Sequence, residues 1–269
     1  MNDGRLHYLE VLDGIHRRLR PRTYVEIGVE HGPSLRLALP GTRTVGIDPA
    51  PAIRWPVPRS TRIFALESDD FFARNRLADV FDGATTDMAF IDGMHLFEFA
   101  LRDFTNVERS CWRGSIVLLH DCLPIDEVRA ARVRTTNVWS GDVWKLILLL
   151  RKHRPDLSIV TLDAPPTGLG LITNLDPSSR VLTDGYDEIV AEYASLPYAS
   201  VANDKNDQLA VMPSDWAHID PRLPPAFRRT NPTLLRAGRA LRWPTREQVR
   251  RSIPAPLRDA LRRVPGVGG

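Results

Sequence analysis

Short apolar runs rich in β-branched residues alternate with stretches of helical periodicity over roughly the first two thirds of the chain. "TYVEIGV" (23–29), "TRTVGID" (42–48), "TRIFALE" (61–67), "TDMAFID" (86–92) and "SIVLLHD" (115–121) read as buried parallel strands. Between the last two, Phe97, Leu101 and Phe104 recur near helical spacing, and "FFARNRLADVF" and "DVWKLILLLRKH" read as further helices. Two later runs, "LSIVTLDAPP" and "GLGLITNL", are parted by a Pro-Pro-Thr-Gly break. That break is too short for a helical crossover, so the pair is expected to form an antiparallel hairpin. The pattern therefore predicts an α/β chain with a Rossmann-like, doubly wound sheet, mostly parallel and closed by an antiparallel hairpin. Residues 176–212 add the helix "YDEIVAEYASL" and loops. Proline and arginine dominate from about 213, which suggests a domain over 1–212 and a basic extension over 213–269.

Composition changes this picture in one place. At 269 residues, 43% apolar and 26% charged, the chain is an ordinary globular one, and its longest apolar stretches are too short to span a bilayer. The N-terminus lacks the basic and apolar regions of a signal peptide, and Cys111 and Cys122 form no CxxC pair, so a reducing cytoplasm is the expected compartment. The net charge of +3 hides an asymmetry: residues 221–269 carry twelve arginines against two acids, a balance of +10, which leaves −7 on residues 1–220. An acidic body repels phosphate, so nucleic acid is not an expected partner. The arginine-rich tail, "LLRAGRALRWP" and "PLRDALRRVPG", reads either as a peripheral anchor on an anionic membrane or as a segment packed on the acidic body or a second subunit.

Candidate chemistry gathers at the strand ends. In a doubly wound sheet, ligands lie beyond the carboxyl ends of the strands, at the switch in strand order. The first strand ends "VEIGVEHGPSL", where Gly28 and Gly32 supply a turn. Asp48, 22 residues after Glu26, offers a carboxylate of the kind that binds ribose hydroxyls. The spacing is not the dinucleotide fingerprint. Ser68, Asp69 and Asp70 follow the third strand and read either as ligand contacts or as a helix cap. The fourth strand ends "FIDGMH" and the fifth "LLHDC". Asp92 with His95, and His120 with Asp121, thus leave adjacent strands 29 residues apart, the length of one βαβ crossover.

The strand plan and these motifs resemble the class I S-adenosylmethionine-dependent methyltransferases. The two Asp/His clusters resemble the metal-dependent sugar O-methyltransferases of macrolide and aminocoumarin tailoring and of bacterial glycan pathways. "EIGVEHG" is similar to the acid-x-Gly-x-Gly-x-Gly motif of that class, with Glu30 where a glycine is usual. The resemblance implies a cofactor site of Glu26, Gly28, Gly32, Ser34, Asp48, Ser68, Asp69 and Asp92, with Glu26 near the methionine part and Ser68–Asp69 near adenine. It implies Asp92, His120 and Asp121 as ligands of Mg²⁺ or another divalent cation, and His95 as the base that faces the acceptor hydroxyl. Relatives of this kind place two consecutive acids where this chain has His120–Asp121. The loop "TTNVWSGDVWKL" (135–146) should overhang the site, and Trp139, Asp142, Trp144 and Lys145 are its candidate sugar contacts. The resemblance also implies a homodimer. Two other readings stay open: O-methylation of a small phenol or polyketide, and a non-catalytic Rossmann-like scaffold.

Overall fold

The computed structural model describes residues 4–224. Its sheet has eight strands: β1 (Thr23–Ile27), β2 (Arg43–Asp48), β3 (Thr61–Ala65), β4 (Met88–Ile91), β5 (Ile116–His120), β6 (Ser158–Leu162), β7 (Leu169–Thr173) and β8 (Val211–Met212). They lie in the order β3-β2-β1-β4-β5-β7-β6-β8. The five expected strands run parallel, and β7 is antiparallel to both β5 and β6, so the closing hairpin is present. The order reverses between β1 and β4, which places the switch point at the ends of the two strands that carry Gly28 and Asp92.

The strands are continuous apolar runs because both faces are covered. Val25 and Ile27 face α2 (Ser68–Arg74), α4 (Phe97–Glu108) and α5 (Trp144–His153), whereas Tyr24 faces α1 (Tyr8–Leu19) on the other side. Two expectations need correction. β3 is an edge strand with mostly exposed side chains, not a buried one. The helix expected over residues 71–81 breaks at Asn75, and α3 (Leu77–Val80) restarts it.

Helix α1 was not anticipated. Its signals are a capping box, in which His7 accepts from the backbone and Glu10 accepts from the His7 N–H, and an apolar stripe of Val11, Leu12, Ile15 and Leu19. Residues past 212 pack on this helix. Arg18 lies over the Trp216 ring at 3.4 Å and pairs with Asp220 at 2.7 Å, while Ile219 and Leu223 are buried. The packed body thus runs beyond the boundary drawn at residue 212. Most of the basic extension, with its membrane reading, lies outside the described residues. Among the described residues no helix is long and apolar enough to cross a membrane.

Candidate active site

The first turn is set by close approach. A Cβ on Gly28 would stand 1.9 Å from the Asp92 carbonyl oxygen, and its φ of +84° is one that glycine adopts without strain. The ends of β1 and β4 therefore meet almost backbone to backbone. Glu30 takes φ +46°, so the position where the resembling motif has glycine keeps a left-handed conformation with an acid on it.

Asp48 stitches this turn together. Its Oδ2 accepts from the Val29 and Glu30 amides at 2.9 and 2.8 Å, and its Oδ1 from the Ala50 amide at 2.7 Å. Asp48→Ala is expected to lower stability by about 2 kcal/mol, since bonds to a charged acceptor each contribute roughly 1.5–3 kcal/mol and water replaces part of that here. Thermal unfolding checks it; an unshifted midpoint would mean that water serves the three amides equally well.

Glu26 and Ser34 sit beneath the turn. Glu26 is buried and accepts from the Tyr24 and Ser34 hydroxyls, both at 2.6 Å. Burial pushes its carboxyl up to about 8, against the pull of those two bonds. These two expected cofactor contacts are engaged with each other and act as supports of the turn. At Ser68 and Asp69 it is the capping alternative that the structure corrects. The α2 cap is Glu67, with no side-chain capping bond, so the capping reading fails. Asp69 is held by Arg102 at 2.7 Å, and Arg102 also reaches the Tyr186 hydroxyl at 2.9 Å. The nearby Ser68 hydroxyl pulls against the effect of burial on the Asp103 carboxyl of α4. Asp103 is buried with Oδ1 unpartnered, and burial lifts its carboxyl to about 7.

The strand-end clusters do converge. His95 Nε2 lies 3.4 Å from Asp92 Oδ1, and His120 Nδ1 lies 3.1 Å from the same oxygen. Asp121 Oδ2 is 3.1 Å from His95 Nδ1 and 3.3 Å from His120 Nδ1, yet out of line for a hydrogen bond to either. His95 and Asp121 hold φ of +58° and +62°, left-handed values that cost a non-glycine residue of order 1–3 kcal/mol and gather at functional sites. Ile91, Asp92, Gly93, His95, His120 and Asp121 line a cavity that reaches under α4 to Asp103.

The electrostatics are those of two acids facing two imidazoles. Burial opposes a charge on His95, but Asp121 and Asp92 override it and raise the ring to about 9. His120 is raised well above its ordinary value against the same burial, and Asp92 is held far below the carboxylate range by His120 and His95 despite its own burial. Two imidazolium charges thus balance two carboxylates.

A divalent ion would supply the same charge. Asp92, His95 and Asp121 each offer a ligand atom, all within 4.8 Å of one another, and the unaligned lone pair on Asp121 Oδ2 is open. These residues fit a cation, and an imidazole beside two carboxylates suits Mn²⁺ or Zn²⁺ as well as Mg²⁺. His120 is not in that triad. Its Nδ1 stands against the carboxylates and its buried Nε2 has no partner, so of the two imidazoles it is His95 that stands with the two acids.

Of the four expected acceptor contacts, only Trp139 reaches the site. Its ring stacks on His95 at 5.2 Å and 15°, and its carbonyl accepts from His95 Nδ1 at 3.0 Å. Trp144 is 1% exposed and Lys145 3%. Buried Asp142 accepts from the Phe97 amide at the start of α4 (2.8 Å), Arg132 (2.7 Å) and Lys145 (3.0 Å). Asp142 thus ties the loop to the start of α4. Gly141, whose added Cβ would be 1.8 Å from the His95 carbonyl oxygen, marks how closely it is clamped.

The sequence reading missed Tyr8, whose ring lies 4.2 Å from His120, and the buried Asp103. The α1 capping box signals a helix start at Tyr8, but nothing local tells that this end faces β5.

A switch point between β1 and β4, with a glycine turn on one side and acids on the other, is where a doubly wound sheet holds a ligand. Residues 25–122, which span this switch point, match a family described as a methyltransferase domain. No curated protein matches the chain. Similar solved structures include cofactor-bound Rv0187 from MTB (16% identity, 62% of this chain and 79% of that one, TM-score 0.49). Another is the O-methyltransferase TomG from Streptomyces achromogenes, involved in tomaymycin synthesis and in complex with SAM (17%, 63% and 80%, 0.48). A third is an O-methyltransferase from Bacillus cereus in complex with SAH (16%, 61% and 79%, 0.45).

Proposed function

We propose that the protein is an S-adenosylmethionine-dependent O-methyltransferase, assisted by a divalent cation, that acts on a sugar hydroxyl. The observation that carries this reading is the Asp92–His95–Asp121 cluster beside the Gly28 turn. S-adenosylmethionine supplies a methyl group already activated on a sulfonium, so the protein has to orient the acceptor and manage one proton. Asp48 keeps one lone pair, on Oδ1, for a ribose hydroxyl even with its three backbone bonds in place.

In O-methylation the acceptor oxygen takes the methyl group in line, the carbon–sulfur bond breaks to leave the thioether, and the hydroxyl proton departs. With His95 Nδ1 donating to the Trp139 carbonyl, Nε2 is the basic atom of the neutral ring, on the Asp92 side. Asp92 and Asp121 favour the protonated ring; these two carboxylates would hold a divalent cation between them, which would offset their charge and leave His95 Nε2 as the base and not a third ligand. A metal lowers the pKa of a bound oxygen by up to about 8 units in the case of water on zinc. A cation together with an imidazole answers to a weakly acidic alcohol, which supports a sugar hydroxyl over a phenol that ionises near about 10.

The test is turnover with labelled cofactor and a panel of sugar acceptors. EDTA is expected to suppress it and Mg²⁺ or Mn²⁺ to restore it, with Asp121→Asn unresponsive to either. Full activity in EDTA would reject the cation and leave His95 as the whole proton-handling apparatus. Failure to bind S-adenosylmethionine at high micromolar concentration would point to the scaffold reading.

A further inference from the structure

Helix α1 delivers Tyr8 to the carboxyl edge of the sheet. The helix start is pinned there: the Tyr8 amide donates to the Pro165 carbonyl at 3.3 Å, and the Leu6 amide to the Ser214 carbonyl at 2.8 Å. The Tyr8 ring lies 4.2 Å from the His120 ring and 6.3 Å from Phe90. Burial, with the charges of Asp92 and Asp121 nearby, raises its hydroxyl well above the ordinary value, and it has no hydrogen-bond partner among the described residues.

This placement matters because most donors of the glycine turn are already engaged. The Gly28 amide donates to Ile47, the Val29 and Glu30 amides to Asp48, and the Gly32 amide to Val29. The Tyr24 and Ser34 hydroxyls both donate to Glu26. The carboxylate at the methionine end of S-adenosylmethionine needs a hydrogen-bond donor that is not already spent on the turn.

We propose that Tyr8 contacts the cofactor, its phenol O–H donating to the carboxylate of the methionine end. The proposal rests on the methyltransferase reading and gives α1 a part in ligand binding. Tyr8→Phe keeps the ring against His120 and removes only the donor.

Calorimetry on the full-length protein tests it with two probes, S-adenosylhomocysteine and 5′-methylthioadenosine, which shares the nucleoside and thioether but lacks the amino-acid end. Tyr8→Phe is expected to weaken S-adenosylhomocysteine by roughly 10- to 100-fold, the value of one hydrogen bond to a charged group, and to leave methylthioadenosine unchanged. Equal S-adenosylhomocysteine affinity in both proteins overturns the proposal. Equal weakening of both probes also overturns it, since Tyr8 would then act by packing. If wild-type protein binds neither probe, the methyltransferase reading falls, and this one with it.

Discussion

His95→Asn is expected to lower kcat by about 10²–10⁴, the usual range for a lost general base, with cofactor affinity unchanged. Asparagine is the informative replacement because residue 95 sits at φ +58°, a conformation that Asn tolerates better than Ala. The variant keeps the backbone that presents the His95 carbonyl to the Asp142 amide at 3.2 Å, and so keeps the acceptor loop seated. What it removes is the ring between Asp92 and Asp121 and the face on which Trp139 stacks. Steady-state turnover beside calorimetric cofactor binding separates the two effects. Normal kcat would dismiss His95 as the base; lost cofactor binding with lost turnover would recast it as a structural residue.

Gly28→Ala should be the most damaging single methyl in the sheet. The added carbon would overlap the Asp92 carbonyl at 1.9 Å, and both partners are backbone at strand ends, where neither can rotate away. Overpacking of about 1–3 kcal/mol adds to a left-handed penalty of about 1–2 kcal/mol, for a loss of roughly 2–5 kcal/mol. Relief requires β1 and β4 to part, which also shifts Asp92, so cofactor affinity and metal response should fall with the unfolding temperature. Gly32→Ala is the control. It shares the positive φ, but its Cβ meets only the Ile53 Cδ1 end at 3.2 Å, and it should lose less. Equal melting of Gly28→Ala and wild type would contradict the close approach of the two strands.

Much of this protein was legible along the chain because sheet order depends on local signals. Buried strands covered on both faces must be apolar throughout, and a break of four residues allows only a hairpin, so five parallel strands and the β6–β7 pair could be read in advance. The edge strand β3 was misjudged because an apolar pattern does not tell an edge from an interior. Asp92, His95, His120 and Asp121 were found because strand ends at a switch point are fixed by topology once the strands are known.

Roles within the site were another matter. Asp142, Trp144 and Lys145 carry the residue types of a sugar-binding loop, yet the fold buries them: Asp142 ties the loop to the start of α4, Lys145 bonds Asp142 and the Ala194 carbonyl, and Trp144 packs against Tyr198. An aromatic ring and a Lys–Asp pair stabilise equally well when buried together. Whether Glu26 and Ser34 meet a ligand or each other depends on a 2.6 Å bond across the turn, and whether His95 or His120 stands with the two acids depends on ring directions. Tyr8 joins the site from a helix more than eighty residues before Asp92. The sequence by itself determined the class of sheet, its switch point and the acids that leave it, because backbone periodicity and short connections are local. Only the tertiary structure decided which side chains face the cavity and which are consumed in holding it open, because that choice is made by hydrogen-bond partners far apart in the chain.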